Sequence, residues 1–327
     1  MTILNQGTLT TSSIYLEAAT AHEKLFFDTI EQFGVPEWMM IAKRTLARKK
    51  GDYHWLGELP ILEKFVDTVH FSKLKANGFT LINVPYTGGI EIDKDDFQQD
   101  ALGLIQPRVE GMADAANRIQ VNTLTDVINA GLATTYGTAY DGGAFFAAHT
   151  TTHNATYTNY YNVALSIDAL AVAWTRMVQQ KDPAGNKLNV MPDTLFVGPD
   201  RFPTAKLIYE GKMSGSITGG SSATDTLKAN TGFEGMFKPV LIPYLTATYW
   251  ILADMSKPMK PFIIQEMPPE AQPQQEIGAM IWTWFKNGVQ FIVDLTDLGK
   301  TRKVNYGAES NFAIGYGLPQ LALLGYE

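Results

Sequence analysis

The chain has 327 residues, 45% hydrophobic and 18% charged, with 33 acidic against 26 basic side chains and a formal net charge of −7. This is the composition of a folded globular protein long enough for two or three domains, neither disordered nor membrane-embedded. The acidic balance argues against a nucleic-acid reader, the absence of cysteine excludes disulfides, thiolate metal sites and cysteine nucleophiles, and no run approaches the ~18 apolar residues of a membrane span.

Residues 1–14 are rich in Thr, Ser and Asn and lack helical periodicity, so they read as an arm that needs a partner to hold it. The residues before Phe26 are polar and broken by charges; no signal peptide is expected, and the protein should be made in the cytoplasm. Phe26, Phe27, Ile30 and Phe33 share a helical stripe. Gly34-Val35-Pro36 breaks it, and Trp38 to Arg48 resumes it, predicting two short amphipathic helices. Lys43-Arg44 with Arg48-Lys49-Lys50 forms the densest basic cluster, read as the solvated face of the second helix.

Residues 55–92 read as extended. Val66, Val69, Phe71 and Leu74 are apolar among polar neighbours, Asn77-Gly78 predicts a tight turn, and Gly88-Gly89 a second one before Ile90-Glu91-Ile92. Pro85 removes a ladder donor, which suits an edge or an exposed ribbon. Such a ribbon is marginal alone and needs something to lie on. Asp93, Asp95 and Asp96 then supply carboxylates where a helix N-terminus favours them. Pro107 marks the first turn of a longer helix or a kink. The stripe Val109, Met112, Ala113, Ala116, Ile119, Leu124, Val127, Ile128, Leu132 predicts one helix of some 25 residues, about 37 Å long, with Gly131 as its terminator.

Residues 133–162 are rich in turns and aromatics. Ser166 should cap a helix running through Val178, Thr194–Val197 should be a short buried strand, and Asp200 or Pro203 should open a helix through Tyr209. The Gly/Ser/Thr-rich stretch 211–235 reads as a mobile loop. Strands are expected at Val240–Pro243, Tyr249–Ala253, Pro258–Ile264, Gly278–Trp284 and Gly288–Asp294. No repeat of 20–50 residues is visible.

The search for chemistry returns little. The phosphate-loop motif is absent, Gly315-Tyr316-Gly317 leaves the dinucleotide fingerprint incomplete, and no nucleophile elbow occurs. His149 and His153 lie among threonines and read as loop histidines bonded to backbone rather than metal ligands. Asp93, Asp95, Asp96 and Asp100 lack the order of a calcium loop and read as helix capping. Asp52, His54 and Glu58 have no spacing that supports acid–base work. Trp250, Trp282 and Trp284 sit in strand-like runs, where aromatics usually pack. No catalytic residue, metal or cofactor is expected.

Four stretches resemble the major head subunits of Mu-like phages and prophages, a family with the Hong Kong 97-type capsid fold. Tyr53-His54-Trp55-Leu56-Gly57-Glu58-Leu59-Pro60 is similar to that family's Tyr-x-Trp-Leu-Gly-x-x-Pro. Ile90-Glu91-Ile92-Asp93-Lys94-Asp95-Asp96-Phe97, with Leu102-Gly103 after it, is close to the acidic segment before its long helix. Tyr140-Asp141-Gly142-Gly143-Ala144-Phe145-Phe146-Ala147-Ala148-His149 matches an Asp-Gly-x-x-Phe-Phe signature with its following His, although Gly143-Ala144 replaces residues more often polar. Asp182 through Val197 resembles the run Gly-x-x-Leu-x-x-x-Pro-x-x-Leu-x-Val. The four occur in family order over roughly 50–210, and Phe312 to Gly317 is a looser match.

The resemblance implies an α+β Hong Kong 97-type fold. It divides into an N-terminal arm (1–50), an extended loop with its base (51–93), a peripheral domain with a spine helix (94–160 and 261–327), and an axial domain (161–260). It implies a non-enzymatic major capsid protein of a tailed bacteriophage, self-assembling through hexamers and pentamers into an icosahedral head. That head would enclose double-stranded DNA without sequence-specific binding, work with portal, scaffold, protease and decoration proteins, and engage no membrane. The protein would reside in the virion, after assembly in the host cytoplasm. Trp55, Leu81 and Ile82 are the candidate subunit contacts, and Asp93, Asp95 and Asp96 the candidates at the hinge between loop and helix. Some relatives of the fold cross-link through Lys–Asn isopeptide bonds; Lys73, Lys75 and Asn77 lie in the ribbon without a matching pair, so non-covalent assembly is expected. An encapsulin-like compartment shell and a soluble enzyme are the alternative readings.

Overall fold

The computed structural model describes residues 11–56, 76–95, 103, 105–139, 141–150, 156–181, 187–211, 233–268, 274–275, 281–286, 288–296 and 302–327, with side chains for all of these except 11–16, 54–56, 76–79 and 274–275. Helix α1 spans Thr11–Phe33 and buries Ala19, Phe26, Phe27 and Ile30 along one face. The last residues of the predicted arm, 11–14, are therefore already helical. Gly34, at φ +60°, ends the helix.

The second predicted helix does not form. Glu37–Ile41 makes a single 3-10 turn, and Ala42–Leu46 is strand β1, parallel to β11 (Phe262–Glu266). Trp38, Met39 and Ile41 do bury as the stripe predicts. After Ala42 the partner strand, itself buried at every position, overrides the local helical preference. Lys43 and Arg44 are therefore strand residues, not a helical basic face, and Leu46 is left 63% exposed.

The ribbon is made by β2 (Lys50–Leu56) and β3 (Ala76–Ile82), antiparallel, with His54 opposite Gly78 and Trp55 opposite Asn77. Asn77-Gly78 is thus paired strand rather than a turn, and residues 57–75 lie outside the described residues. Strand β4 (Val84–Asp93) also runs straight through the second predicted turn, placing Gly88 and Gly89 opposite Ala308 and Gly307 of β15 (Lys303–Tyr316). The glycines serve close approach here: a Cβ on Gly89 would stand 2.8 Å from the Tyr306 carbonyl oxygen. Among the described residues β4 pairs only with β15, the edge position that tolerates Pro85.

Helix α2 spans Ile105–Asn129, 25 residues, and buries Val109, Met112, Ala113, Ala116, Leu124, Val127 and Ile128 of the predicted stripe, with Ile105 in addition, while Ile119 is half-buried and Leu132 lies past the helix end. Pro107 lies in its first turn. Its N-terminal half packs with α1 on one face of the larger sheet, against Val289, Phe291, Val293, Val304 and Tyr306. That sheet has the order β1-β11-β15-β14-β13-β12, where β12 is Gln274–Gln275, β13 Ile281–Lys286 and β14 Val289–Asp294, with β4 on the long β15. Strand β14, and β15 as far as Phe312, alternate buried and half-buried residues, as a sheet with one covered face must. Burial pushes the Tyr306 phenol far above its ordinary range.

Strands β5 (Ala148–Thr150) and β6 (Thr156–Thr158) form a small hairpin, followed by β7 (Tyr160–Asn162). Ser166 caps helix α3 (Ile167–Val178) by accepting the Ala169 amide at 3.1 Å, as predicted. The smaller sheet has the order β7-β16-β10-β8-β9, with β8 Thr194–Val197, β9 Lys238–Leu241, β10 Trp250–Ala253 and β16 Ala322–Tyr326. Helix α4 (Phe202–Tyr209) follows β8. One face of this sheet buries Leu195, Val197, Trp250, Leu252 and Leu323 among residues of α3 and α4. The other buries Phe196, Ile251, Ala253 and Leu324 against Phe145, Phe146, Phe262 and the last turns of α2. Burial on both faces explains why these strands read as unbroken apolar runs. Trp250 lies across Gly325, where a Cβ would meet the indole at 1.8 Å. The chain after residue 302 divides between the sheets: β15 completes the larger and β16 enters the smaller.

Candidate self-association surface

The ribbon meets the body through a buried polar network. Gln265 of β11, wholly buried, donates from Nε2 to the Asn83 side-chain oxygen at 2.6 Å and to the Leu81 carbonyl at 3.3 Å. The Tyr53 hydroxyl donates to Gln265 Oε1 at 2.9 Å, which makes the Thr45 hydroxyl, 2.5 Å away, the donor to the Tyr53 oxygen. Asn83 in turn donates from Nδ2 to the Ala47 carbonyl at 2.8 Å. Burial pushes the Tyr53 phenol upward, and the Thr45 bond opposes that shift. Gly51 completes the fit, because a Cβ there would stand 1.9 Å from Gln265 Oε1, and a glutamine held by three bonds cannot move aside.

Next to this network the Arg44 guanidinium pairs with Glu266 at 2.6 Å. Glu266 is 7% exposed. Burial raises its pKa above the ordinary 4.5, against the lowering effects of Arg44 and of a hydrogen bond to Gln120 of α2. The carboxylate thus joins β1, β11 and the long helix. Sequence reading missed Asn83, Gln265 and Glu266. The available signal was a Gln-Glu pair closing the run Pro261-Phe262-Ile263-Ile264, since polar groups in a buried strand require partners.

The expected contact residues separate. Leu81 is half-buried on its own chain: a Cβ on Gly315 would come within 2.5 Å of Leu81 Cδ2. Ile82 is 59% exposed, and nearby in sequence Val84 is 50% exposed. Trp55 is placed opposite Asn77 by its backbone; its side chain is outside the description. Asp93 is exposed, opposite Lys303 in the register of β4 and β15. Asp95 pairs with Arg302 at 2.5 Å, both side chains 62% exposed, and the Lys94 amide donates to the Arg302 carbonyl at 2.7 Å. Arg302 adopts φ +62°. Asp96, Lys73, Lys75 and His153 lie outside the described residues.

His149 is fully buried, with Nδ1 facing the Asp141 carboxylate at 2.9 Å and Nε2 facing the Phe145 carbonyl at 3.0 Å. It ties the turn after α2 to β5, a backbone-bonded role as expected, with the carboxylate as an unforeseen partner. Among the described residues no three His, Asp or Glu side chains are placed to hold a metal ion, and no described helix is long and apolar enough to cross a membrane. A cavity of about 240 Å³ lies between β4 and α2, lined by Tyr86, Gly88, Met112, Ala116, Ile119 and Ser310 among others. Its lining carries no cluster of acids, bases or nucleophiles.

A long helix lying on a sheet, a second sheet joined to its far end, and a two-stranded ribbon tied to the base define a Hong Kong 97-type capsid fold. The same fold occurs in the procapsid of bacteriophage JBD30, 17% identical, with a TM-score of 0.51 over 97% of this chain and 76% of that one. The model of the phage capsid protein family matches residues 84–315, from the first residue of β4 almost to the end of β15, and the chain belongs to that family. It is 27% identical over 106 residues to the Mu-like prophage FluMu major head subunit of Haemophilus influenzae, covering 32% of this chain and 33% of that one. It is 31% identical over 68 residues to the major capsid protein of Escherichia phage Mu, covering 21% and 22%. The matched stretches thus span a third or less of these curated relatives.

Proposed function

We propose that this chain is the major capsid subunit of a tailed phage or prophage, closing through hexamers and pentamers into an icosahedral head around double-stranded DNA. The observation that carries the reading is the family match over 84–315, which takes in β4, α2, most of β15 and every element between them. The role is mechanical rather than enzymatic. Heterologous contacts repeated around an axis generate rings, and weak contacts made many times give a strong shell.

Within this reading residues 1–50 act as the arm and 51–93 as the loop reaching over a neighbour. The larger sheet with α2 forms the peripheral domain, and 161–260, joined by β16, forms the axial domain. The polar network under the ribbon supports this assignment, since a projecting loop needs a base that fixes its direction. Ile82, exposed beside that base, and Asp93, exposed at the far end of β4, serve as contact residues. The net charge of −7 suits a wall that contains DNA without gripping it. Portal, scaffold, protease and decoration proteins are the expected partners, the virion the final location and the host cytoplasm the place of assembly.

Electron microscopy of the purified chain tests the reading. Uniform icosahedral shells are expected, without ladders on denaturing gels. A discrete small oligomer that never closes would overturn it, and shells loaded with an enzyme cargo in place of DNA would reassign it to a cellular compartment.

A further inference from the structure

The segment after β9 turns sharply at Ile242–Leu245, where the Leu245 amide donates to the Ile242 carbonyl at 3.5 Å. Ile242 and Leu245 are buried on either side. Pro243 and Tyr244 are the central residues. In a turn with proline second, a positive φ in the third position belongs to glycine or asparagine. Here the third residue is Tyr244, at φ +62°. Its side chain is 78% exposed, more than any other large hydrophobic group described. The fold therefore accepts an unfavourable backbone to hold an aromatic ring in solvent.

The surroundings enforce that conformation. Asn129, the last residue of α2, donates from Nδ2 to the Tyr244 carbonyl at 3.0 Å. Its Oδ1 accepts the Thr246 amide at 2.9 Å and the Thr246 hydroxyl at 3.1 Å. One side-chain amide thus clamps the turn to the end of the longest helix described. Strain held in place by convergent contacts is characteristic of functional positions. A rigidly presented tyrosine offers a large contact area for little entropy, which is why such residues dominate interfaces. Leu241, just before the turn, adds a 38% exposed apolar side chain.

We infer that Tyr244 is an aromatic anchor that inserts into a neighbouring copy of this chain, on a turn strained to present it. The identity of the partner rests on the shell-forming reading above. The alternative, a tyrosine merely tolerated at this position, predicts the same gain in stability on replacement by asparagine but no change in assembly.

The test compares Tyr244→Asn, which suits positive φ and removes the ring, with Tyr244→Phe, which keeps the ring. Thermal unfolding of the unassembled subunit and the threshold concentration for shell formation are both measured. Tyr244→Asn should raise the unfolding midpoint by about 1–2 °C and raise the assembly threshold at least about tenfold. Tyr244→Phe should keep the parent's threshold within about twofold. If the parent forms shells and Tyr244→Asn assembles at the same threshold, the anchor is wrong while the capsid reading stands. A Tyr244→Asn subunit that unfolds at a lower temperature would also overturn it, by making the ring structural. A parent chain that forms no shells overturns both.

Discussion

The ribbon base and the smaller sheet are held by opposite means. Under the ribbon, Thr45, Tyr53, Asn83 and Gln265 satisfy one another in a directional chain, closed by a glycine that leaves no spare room. In the smaller sheet, Phe196, Trp250, Ile251 and Leu324 are buried by non-directional packing on both faces. Packing tolerates repacking so long as volume is kept. A hydrogen-bond network tolerates little, because each orphaned member keeps its desolvation cost. The first arrangement fixes where a strand points, and the second stabilises by the apolar area it buries.

Substitutions can break this contrast at either end. The largest effect should come from Trp250→Ala, which empties a site between α3, α4 and Gly325 and should cost about 3–5 kcal/mol in denaturant unfolding; a loss under ~1 kcal/mol would show that packing does not dominate there. Gln265→Leu, similar in size but unable to bond, should cost about 2–3 kcal/mol by stranding Asn83, Tyr53 and the Leu81 carbonyl. It should also increase hydrogen exchange in β2 and β3 while leaving the smaller sheet protected. Uniform loss of protection would erase the distinction between the two regions.

Reversing the charge of Asp93, Asp95 and Asp96 should change subunit stability by no more than about 1 kcal/mol, since the Asp95–Arg302 pair is exposed. Shell yield, read by sedimentation, should fall well before solubility does, and normal shells would remove these residues from the contact. The smallest effect concerns pH. The Glu266 pKa is raised above 4.5, by burial first, so its stabilising contribution is complete below that value and is lost as pH climbs through the folded-state pKa. Glu266→Gln should flatten that segment of the stability–pH curve and leave the subunit no less stable at neutral pH. A large loss at neutral pH would mean that the Arg44 pair outweighs the burial cost.

The long helix and three strands of the smaller sheet, β8, β9 and β10, were legible in the sequence for physical reasons, whereas β7 and β16 were not read as strands. A stripe repeated over 25 residues has one interpretation, and apolar runs such as Trp250-Ile251-Leu252 have few. The Ser166 cap was legible because a hydroxyl before an amphipathic run has a specific job. Residues 42–46 misled, since five residues carry too little periodicity to resist a buried partner more than 200 positions away. Asn77-Gly78 and Gly88-Gly89 misled because glycine signals both turns and close strand approach, and only the strand opposite decides between them. At the candidate surface the sequence could point to exposed Ile82, yet Leu81 proved committed to β15. The network under the ribbon was hidden because Thr45, Tyr53, Asn83 and Gln265 come from distant parts of the chain.

The placement of β15 and β16 sets a timetable. Residues 303–316 bridge β4 to β11 and β14, and residues 322–326 lie between β7 and β10. Until that stretch leaves the ribosome, the larger sheet lacks the strand that joins its parts and the smaller one is split. A growing chain therefore has no finished sheet to offer a neighbour until residue 326 has been made, and the proposed polymerisation would wait for it. On the shell-forming reading, strands this late in the middle of both sheets would keep chains made only to residue 302 out of a growing shell.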